Sequence, residues 1–299
     1  MRRAGTGRGE CTYMIDGTTK RPDWLKVRAP GGSNYTELKT LMRDLDLHTV
    51  CEEARCPNIA ECWSHRTATM MILGDTCTRA CGFCAIKTGR PGTLDLLEPD
   101  RVGRAVEKMG LKHVVVTSVN RDDVPDGGAA IFAGTIRKIR RYVPDCTIEI
   151  LTPDFEGVRS SLETVLAARP DVYNHNIETV ERLTKLVRRR ARYGRSLEVL
   201  RWAKEIVPGL RTKSGIMVGL GETREEIGTV LADLRSSDVD VLTIGQYLRP
   251  TPDHLDVARY YHPDEFADLK REALALGFRH VESGPLVRSS YHAHEHAAV

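Results

Sequence analysis

Apolar positions along the chain alternate between two spacings. Short runs rich in β-branched residues read as buried strands: "ATMMIL" (68–73), "HVVVTSV" (113–119), "CTIEILTP" (146–153), "DVYNHNIE" (171–178), "LRTKSGIMVGL" (210–220) and "DVLTIGQYL" (240–248). Between them apolar residues recur at helical intervals, in 98–110, 128–143, 161–170, 179–189, 196–208 and 223–237. The first of these ends on Gly110 and the third on Pro170, both ordinary helix stops. Six strand–helix units in succession predict an α/β protein with a parallel sheet. A further helix (263–277) and a short strand, "RHVESGP" (279–285), follow. Beyond this alternation there is no repeat and no low-complexity segment.

At 299 residues the chain can bury a substantial core. Lys plus Arg exceed Asp plus Glu by 44 − 41 = 3, which does not suggest a nucleic-acid binder. No apolar run approaches ~18 residues, so no membrane span is expected. "MRRAGTGRGE" (1–10) lacks the apolar core of a secretory signal and reads as a disordered arm or an organelle-targeting remnant. The expected compartment is the cytoplasm, with an organelle matrix as the alternative.

Cysteine changes the picture most. Of eight, six fall between 51 and 84, in two triplets: Cys51-x4-Cys56-x5-Cys62 and Cys77-x3-Cys81-x2-Cys84. A disulfide framework suits a short secreted chain, not this one. Zinc prefers four ligands, so a zinc knuckle is the competing reading for either triplet. Incomplete sets of three suit iron–sulfur clusters, in which three thiolates leave one iron open. Cys11 and Cys146 have no thiol near them in sequence and read as non-ligands.

A C-x3-C-x2-C loop directly after a strand, with aromatic Phe83 before its last cysteine, resembles the radical S-adenosylmethionine superfamily. That resemblance implies a partial (β/α)6 TIM-like barrel, with N- and C-terminal extensions over its mouth. The implied parts are 1–66 for the N-terminal extension, 67–250 for the barrel and 251–299 for the C-terminal extension. It also implies a 4Fe–4S cluster on Cys77, Cys81 and Cys84 and S-adenosylmethionine chelated to its open iron, as a source of a 5′-deoxyadenosyl radical.

Barrel chemistry sits at the C-terminal ends of the strands. The polar residues there are Thr117, Ser118, Asn120, Arg121 and Asp122, then Asn174, Asn176 and Glu178. Lys213, Ser214 and Met217 lie on the fifth strand, Gly219, Gly221 and Glu222 follow it, and Gln246, Tyr247 and Leu248 end the sixth. From these the candidate cofactor contacts are Phe83, Thr117, Asn120, Asn176, Glu178, Lys213, Met217, Gly219, Glu222, Gln246, Tyr247 and Leu248. "YNHNIET" (173–179) resembles a segment of sulfur-inserting radical enzymes, which implies nucleoside contacts for Asn176 and Glu178; a helix-capping role for Glu178 is the alternative.

"CEEARCPNIAEC" (51–62), "TSVNRDDVPDGGA" (117–129), "EILTPDFEG" (149–157) and "RSSYH" (288–292) resemble the lipoyl synthase family, over nearly the whole chain from about Trp24 to His292. The resemblance implies that Cys51, Cys56 and Cys62 carry an auxiliary 4Fe–4S cluster, with Ser289 as its fourth ligand. It implies sulfur insertion at C6 and C8 of an octanoyl chain on a lysine of a lipoyl carrier domain, with that cluster consumed as donor. The carrier would be the glycine cleavage H protein or the E2 component of a 2-oxoacid dehydrogenase, and the electron donor a ferredoxin or flavodoxin. A biotin synthase-like sulfur inserter and a non-enzymatic iron–sulfur or zinc protein are the alternatives. The arginine-rich stretches 137–142 and 185–195 would suit an acidic carrier or serve as solvated helix faces.

Overall fold

The structure is a computed structural model that describes residues 22–25, 33–53, 56–59, 62 and 68–293. The described elements begin with the 3-10 turn Asp23–Leu25, helix α1 (Ser33–Asp44), the two-residue strand β1 (His48–Thr49) and the single turn α2 (Val50–Glu53). Strand β2 (Thr69–Ile72) opens the main sheet, and β3 (Thr76–Cys77) pairs with β4 (Lys87–Thr88) in a small parallel ladder. Then strands and helices alternate: α3 (Glu98–Met109), β5 (His113–Ser118), α4 (Ala129–Tyr142), β6 (Thr147–Leu151), α5 (Arg159–Leu166) and β7 (Val172–Asn174). After them come α6 (Glu181–Val187), α7 (Tyr193–Ile206), β8 (Arg211–Val218), α8 (Arg224–Ser236), β9 (Val241–Gln246), α9 (Pro263–Ala275) and β10 (His280–Gly284).

The sheet order is β1-β2-β5-β6-β7-β8-β9-β10. Every neighbouring pair from β2 onward is parallel, while β1 runs antiparallel on the edge, His48 opposite Met71. Sequential parallel strands joined by helices make the wall of a partial barrel, as expected for the superfamily fold. Two strands beyond the six expected take part, β1 on one edge and β10 on the other. β10 lies in the expected C-terminal extension, yet it pairs along its length with β9, His280 opposite Val241 and Gly284 opposite Gly245.

The strands are apolar almost continuously because both faces are covered. Met70, Ile72, Val114, Val116, Ile148, Ile150, Leu242 and Ile244 pack with Val106, Phe132, Ile136, Val165, Leu200, Leu231 and Phe266 of the helices. Helix ends follow their local signals. α3 has Pro99 in its first turn and stops at Gly110, whose φ of 62° is left-handed. α8 starts with a capping box, Thr223 with Glu226, and α9 with His262 and Glu265.

The largest departure from the expected elements is the strand read over 171–178. β7 ends at Asn174, and only Glu178 rejoins the sheet, as an isolated bridge to Ile216. The Ile177 N–H turns to the Ser214 hydroxyl (3.2 Å), and Glu178 is left-handed, with φ of 69°. Side chain and main chain here leave the ladder, which places Asn176 and Glu178 on an irregular rim instead of a regular strand.

Candidate metal centre and active site

The loop after β2 carries the second cysteine triplet. Leu73 (φ 71°) and Gly74 (φ 88°) turn the chain, and the buried Glu98 carboxylate accepts the Leu73 N–H at 2.8 Å. Cys77 lies on β3, and the β3–β4 ladder closes the loop, with the Gly89 N–H donating to the Cys77 carbonyl at 3.0 Å. The Cys77 sulfur accepts main-chain N–H groups from Arg79 (3.4 Å) and Asn120 (3.3 Å). Cys81 and Cys84 share a turn, the Cys84 N–H donating to the Cys81 carbonyl at 3.2 Å.

Burial pushes the Cys81 thiol up to about 11 and the Cys84 thiol up to about 12. Smaller contributions show the convergence of the set: Cys77 acts on both, Cys81 on Cys84, and Glu178 on both. Thiols as buried as those of Cys81 and Cys84 stay protonated by themselves; a metal cluster is what makes such thiolates stable. Among the described residues no three Cys, His, Asp or Glu side chains converge on one point suited to a single metal ion. A cubane binds each thiolate at a separate iron, so the donor set and its N–H···S bonds fit a cluster better than zinc.

Arg79, inside this loop, was missed in the sequence. Its guanidinium is 4 % exposed and bonds both Asp122, at 2.8 and 2.7 Å, and Asp154, at 2.8 Å. Burial disfavours the Asp154 anion, but Arg79 and then Arg195 outweigh it and hold the carboxyl well below the usual range. Asp122 and Asp154 follow β5 and β6, so this ion-pair network fastens the cysteine loop to two strand ends. The signal was a charged residue inside a metal loop; its partners lay in segments already noted, "VNRDD" and "TPDFEG".

Across the mouth, the Asn176 amide donates to Glu178 (3.0 Å) and to the Ser289 hydroxyl (3.1 Å). Burial raises the Glu178 carboxyl, opposed by Arg188, Asn176 and Arg288. The buried Ser118 Oγ, Asn120 Oδ1 and Asn176 Oδ1 have no hydrogen-bond partner among the described residues. Orphaned polar atoms at the ends of neighbouring barrel strands fit a polar ligand such as S-adenosylmethionine. Beneath them His175, drawn down to about 4 chiefly by burial, is neutral; it donates from Nδ1 to the Thr152 carbonyl (2.9 Å) and accepts the Ser196 hydroxyl at Nε2 (3.0 Å).

Other candidate contacts are occupied by the protein itself. Lys213 is wholly buried against Glu149 (2.9 Å), and Asn174 donates to the same carboxylate (2.9 Å). Glu222 accepts the N–H groups of Gly219 and Leu220 and the Tyr261 hydroxyl. Gln246 donates to the Tyr247 and Arg259 carbonyls and accepts the Tyr261 N–H. The Tyr247 hydroxyl donates to the Leu255 carbonyl, and Thr117 to the Leu151 carbonyl. Gly219, at φ 100°, has no room for a side chain, since a Cβ would stand 2.1 Å from Gln246 Nε2. Met217 and Leu248 are half-buried, and Phe83 packs on the core.

The first triplet is tied to the same mouth. Cys51 is buried on α2, the Cys56 N–H donates to the Cys51 carbonyl (3.1 Å), and the Cys62 N–H donates to the Asn58 carbonyl (2.9 Å). The Asn58 amide reaches the Leu286 carbonyl at 2.8 Å, so this segment meets the C-terminal one. Burial raises the Cys56 thiol, while the Asn58 N–H and the Arg288 charge oppose the rise. Arg288, next to Ser289, also acts on Glu178, so its charge reaches both a thiol of the first triplet and the carboxyl at the barrel rim. Cys146 is buried at the start of β6, away from both sets, and Cys11 lies outside the described residues. Residues 1–21 are likewise outside them.

Many of the basic residues read as free faces are paired within the chain: Lys138 with Asp100, Arg140 with Asp171, Arg190 with Asp122 and Glu156, Arg195 with Asp154. No described helix is long and apolar enough to cross a membrane.

Residues 71–234 match the family model of the radical SAM superfamily. Residues 11–56 match the N-terminal domain of lipoyl synthase of the Radical_SAM family. Among solved structures, methylornithine synthase (PylB) superposes with a TM-score of 0.52 at 14 % identity, covering 84 % of this chain and 83 % of that one. Streptococcus suis SuiB bound to its precursor peptide SuiA gives 0.57 at 12 % identity, over 76 % and 52 %. These likenesses concern the fold. A parallel barrel wall with a C-x3-C-x2-C loop at its mouth, in a chain that matches the superfamily model, defines a radical S-adenosylmethionine enzyme.

The sequence resolves it further. A lipoyl synthase of Rubrobacter xylanophilus is 67 % identical over 92 % of this chain and 86 % of its own length. One of Shouchella clausii is 63 % identical over 92 % and 90 %. With identity of that order from end to end, the chain belongs to the lipoyl synthase family. It is a sulfurtransferase whose cofactors are S-adenosylmethionine and 4Fe–4S clusters.

Proposed function

We propose that this protein inserts two sulfur atoms, at C6 and C8, into an octanoyl chain borne on a lysine of a lipoyl carrier domain. The carrying observation is the bond between Asn176 and Ser289, beside the bond from Asn58 of the first cysteine segment to Leu286. It supports a reading in which both cysteine triplets face one barrel mouth, where one substrate carbon would meet both clusters. Cys77, Cys81 and Cys84 would hold the barrel cluster. Cys51, Cys56 and Cys62, with Ser289, would hold the auxiliary one. When bound, the barrel cluster with S-adenosylmethionine supplies a radical able to take hydrogen from an unactivated carbon, and the auxiliary cluster supplies sulfur.

The chain's own residues supply position. The Arg79 network holds the cysteine loop against the strand ends, and Ser118, Asn120 and Asn176 offer polar atoms to the nucleoside and methionine groups. The C-terminal segment over the mouth keeps water from the reacting carbon. The parts would be an N-terminal extension over 1–66, a barrel over 67–250 and a C-terminal extension over 251–299. The carrier would be a glycine cleavage H protein or the E2 component of a 2-oxoacid dehydrogenase, and the electron donor a ferredoxin or flavodoxin. The cytoplasm, which keeps thiols reduced, suits two sets of cysteines used as cluster ligands.

The test is anaerobic reconstitution with iron and sulfide, then incubation with S-adenosylmethionine, a reductant and an octanoylated carrier peptide. Mass spectrometry should show two sulfurs added per peptide and about eight irons per chain. Sulfur-free peptide alongside 5′-deoxyadenosine would overturn the proposal, and bound zinc would favour the non-enzymatic alternative.

A further inference from the structure

Between β9 and α9 the chain crosses the barrel mouth, and in the middle of this crossing it touches the cysteine loop. His254 Nε2 lies 3.0 Å from the Cys84 carbonyl oxygen. The Leu255 N–H donates to the Gly82 carbonyl at 3.0 Å. The Leu255 side chain rests against Gly82, where a Cβ would stand 2.9 Å from its Cγ and Cδ1. Glycine at 82 is what permits that approach. On its other side, the Gly82 N–H donates to the Val187 carbonyl at 2.9 Å.

The crossing is itself braced. The Tyr247 hydroxyl donates to the Leu255 carbonyl at 2.7 Å, and the Ala258 N–H donates to the Gly219 carbonyl at 2.8 Å. Arg249 donates to the Thr251 carbonyl at 3.1 Å and pairs with Asp256. His254 Nδ1 is 2.9 Å from the Thr251 hydroxyl. A carbonyl only accepts, so Nε2 carries a hydrogen toward Cys84, and Nδ1 faces the Thr251 hydroxyl. This assignment follows from the hydrogen-bond network.

We propose that residues 247–258 form a clasp on the cysteine loop and that His254 is a positioning residue acting through the main chain of Cys84. The proposal rests on Cys77, Cys81 and Cys84 holding the barrel cluster. Arg79 fixes the first half of that loop, between Cys77 and Cys81. The second half, which carries Cys84, has no buried ion pair among the described residues, only the exposed pair of Lys87 with Asp75; the clasp restrains it instead. Through Gly219 the clasp is also bonded to the turn that Glu222 closes, so loop and strand end are set against each other.

The test uses the full chain with Cys51, Cys56 and Cys62 changed to Ala, so that bound iron reports the barrel cluster alone. If that background holds no cluster, the ligand assignment fails, and the clasp is not what failed. With the cluster present, His254→Leu should release iron to a chelator about 3- to 10-fold faster, the range expected for one lost buried hydrogen bond. It should also shift the electron paramagnetic resonance signal of the reduced cluster and raise the KM for S-adenosylmethionine more than it lowers kcat. His254→Gln, which keeps an N–H donor, should restore most of each property. Thr251→Val, which leaves the ring without its second partner, should have a smaller effect in the same direction. Unchanged iron release and signal in His254→Leu would overturn the proposal. So would a loss matched by an equal fall in thermal midpoint and not rescued by His254→Gln, because that would make His254 merely structural.

Discussion

Cys77 lies on a strand with two main-chain N–H groups on its sulfur, in a loop pinned by the Arg79 ion pairs. Cys51 lies on a four-residue helix, and its triplet is joined to the rest of the described chain by bonds such as Asn58 to Leu286. Both sites present three thiols, but one is built into the barrel and the other is laid across it. The difference suits the two uses proposed above: a cluster that generates radicals would have to survive each turnover, whereas one that gives up sulfur would be dismantled and replaced. A harder alkoxide at the fourth corner, from Ser289, would bind soft iron–sulfur chemistry weakly and favour that release.

The comparison breaks most readily at the cysteines. Cys81→Ala should abolish formation of 5′-deoxyadenosine while about half the iron remains; full 5′-deoxyadenosine formation would refute the barrel assignment. Changing Cys51, Cys56 and Cys62 together to Ala should do the reverse, leaving 5′-deoxyadenosine formation and removing thiolated peptide. Sulfur insertion by that variant would place the donor elsewhere.

Arg79→Met sharpens the contrast in rigidity. It takes from Asp122 and Asp154 their shared buried partner, leaving each with one arginine, Arg190 and Arg195, and breaking a buried pair by removing one partner costs up to about 3–5 kcal/mol. Chemical denaturation should show a loss of that order. No change in the N-terminal triplet should approach it.

Acid lability belongs to the barrel side. His175 has a folded pKa depressed from 6.5 to about 4, so below pH 6.5 the unfolded chain takes up a proton the folded one resists. Stability should therefore fall as pH drops from 6.5 toward 4, by at most about 1.4 kcal/mol per unit from this residue. His175→Gln should flatten that slope in denaturation curves taken across this range; an unchanged slope would assign it to other groups.

Ser289→Ala should have the smallest effect on stability, about 1 kcal/mol for one hydrogen bond to Asn176. It should nevertheless slow sulfur insertion and leave 5′-deoxyadenosine formation intact. An anaerobic crystal structure with Ser289 remote from the auxiliary iron would remove it from the ligand set.

Much of this was legible in the sequence because the signals were local. Buried parallel strands read as continuous apolar runs, and the C-x3-C-x2-C spacing lies within one loop. What escaped depended on distance along the chain. Arg79 and Asp154 are 75 residues apart and neither is unusual where it stands; only the barrel brings them to 2.8 Å. "DVYNHNIE" has a strand's composition, yet the Ser214 hydroxyl and the left-handed Glu178 end the ladder at Asn174. Gln246 and Glu222 read as ligand contacts from their place at strand ends; only the fold shows that their polar groups also bond the turn at Gly219 and the segment through Tyr261.

The sequence by itself determined the repeating strand–helix order, the two sets of three thiols and the family. Those depend on side-chain type and spacing over a few residues. Tertiary structure alone decided that β10 extends the barrel wall, that Ser289 reaches Asn176, and that His254 meets Cys84. Each is a contact between segments separated by tens to hundreds of residues. Such contacts form because closing the sheet buries apolar faces, and the polar groups carried to the rim must then find partners there.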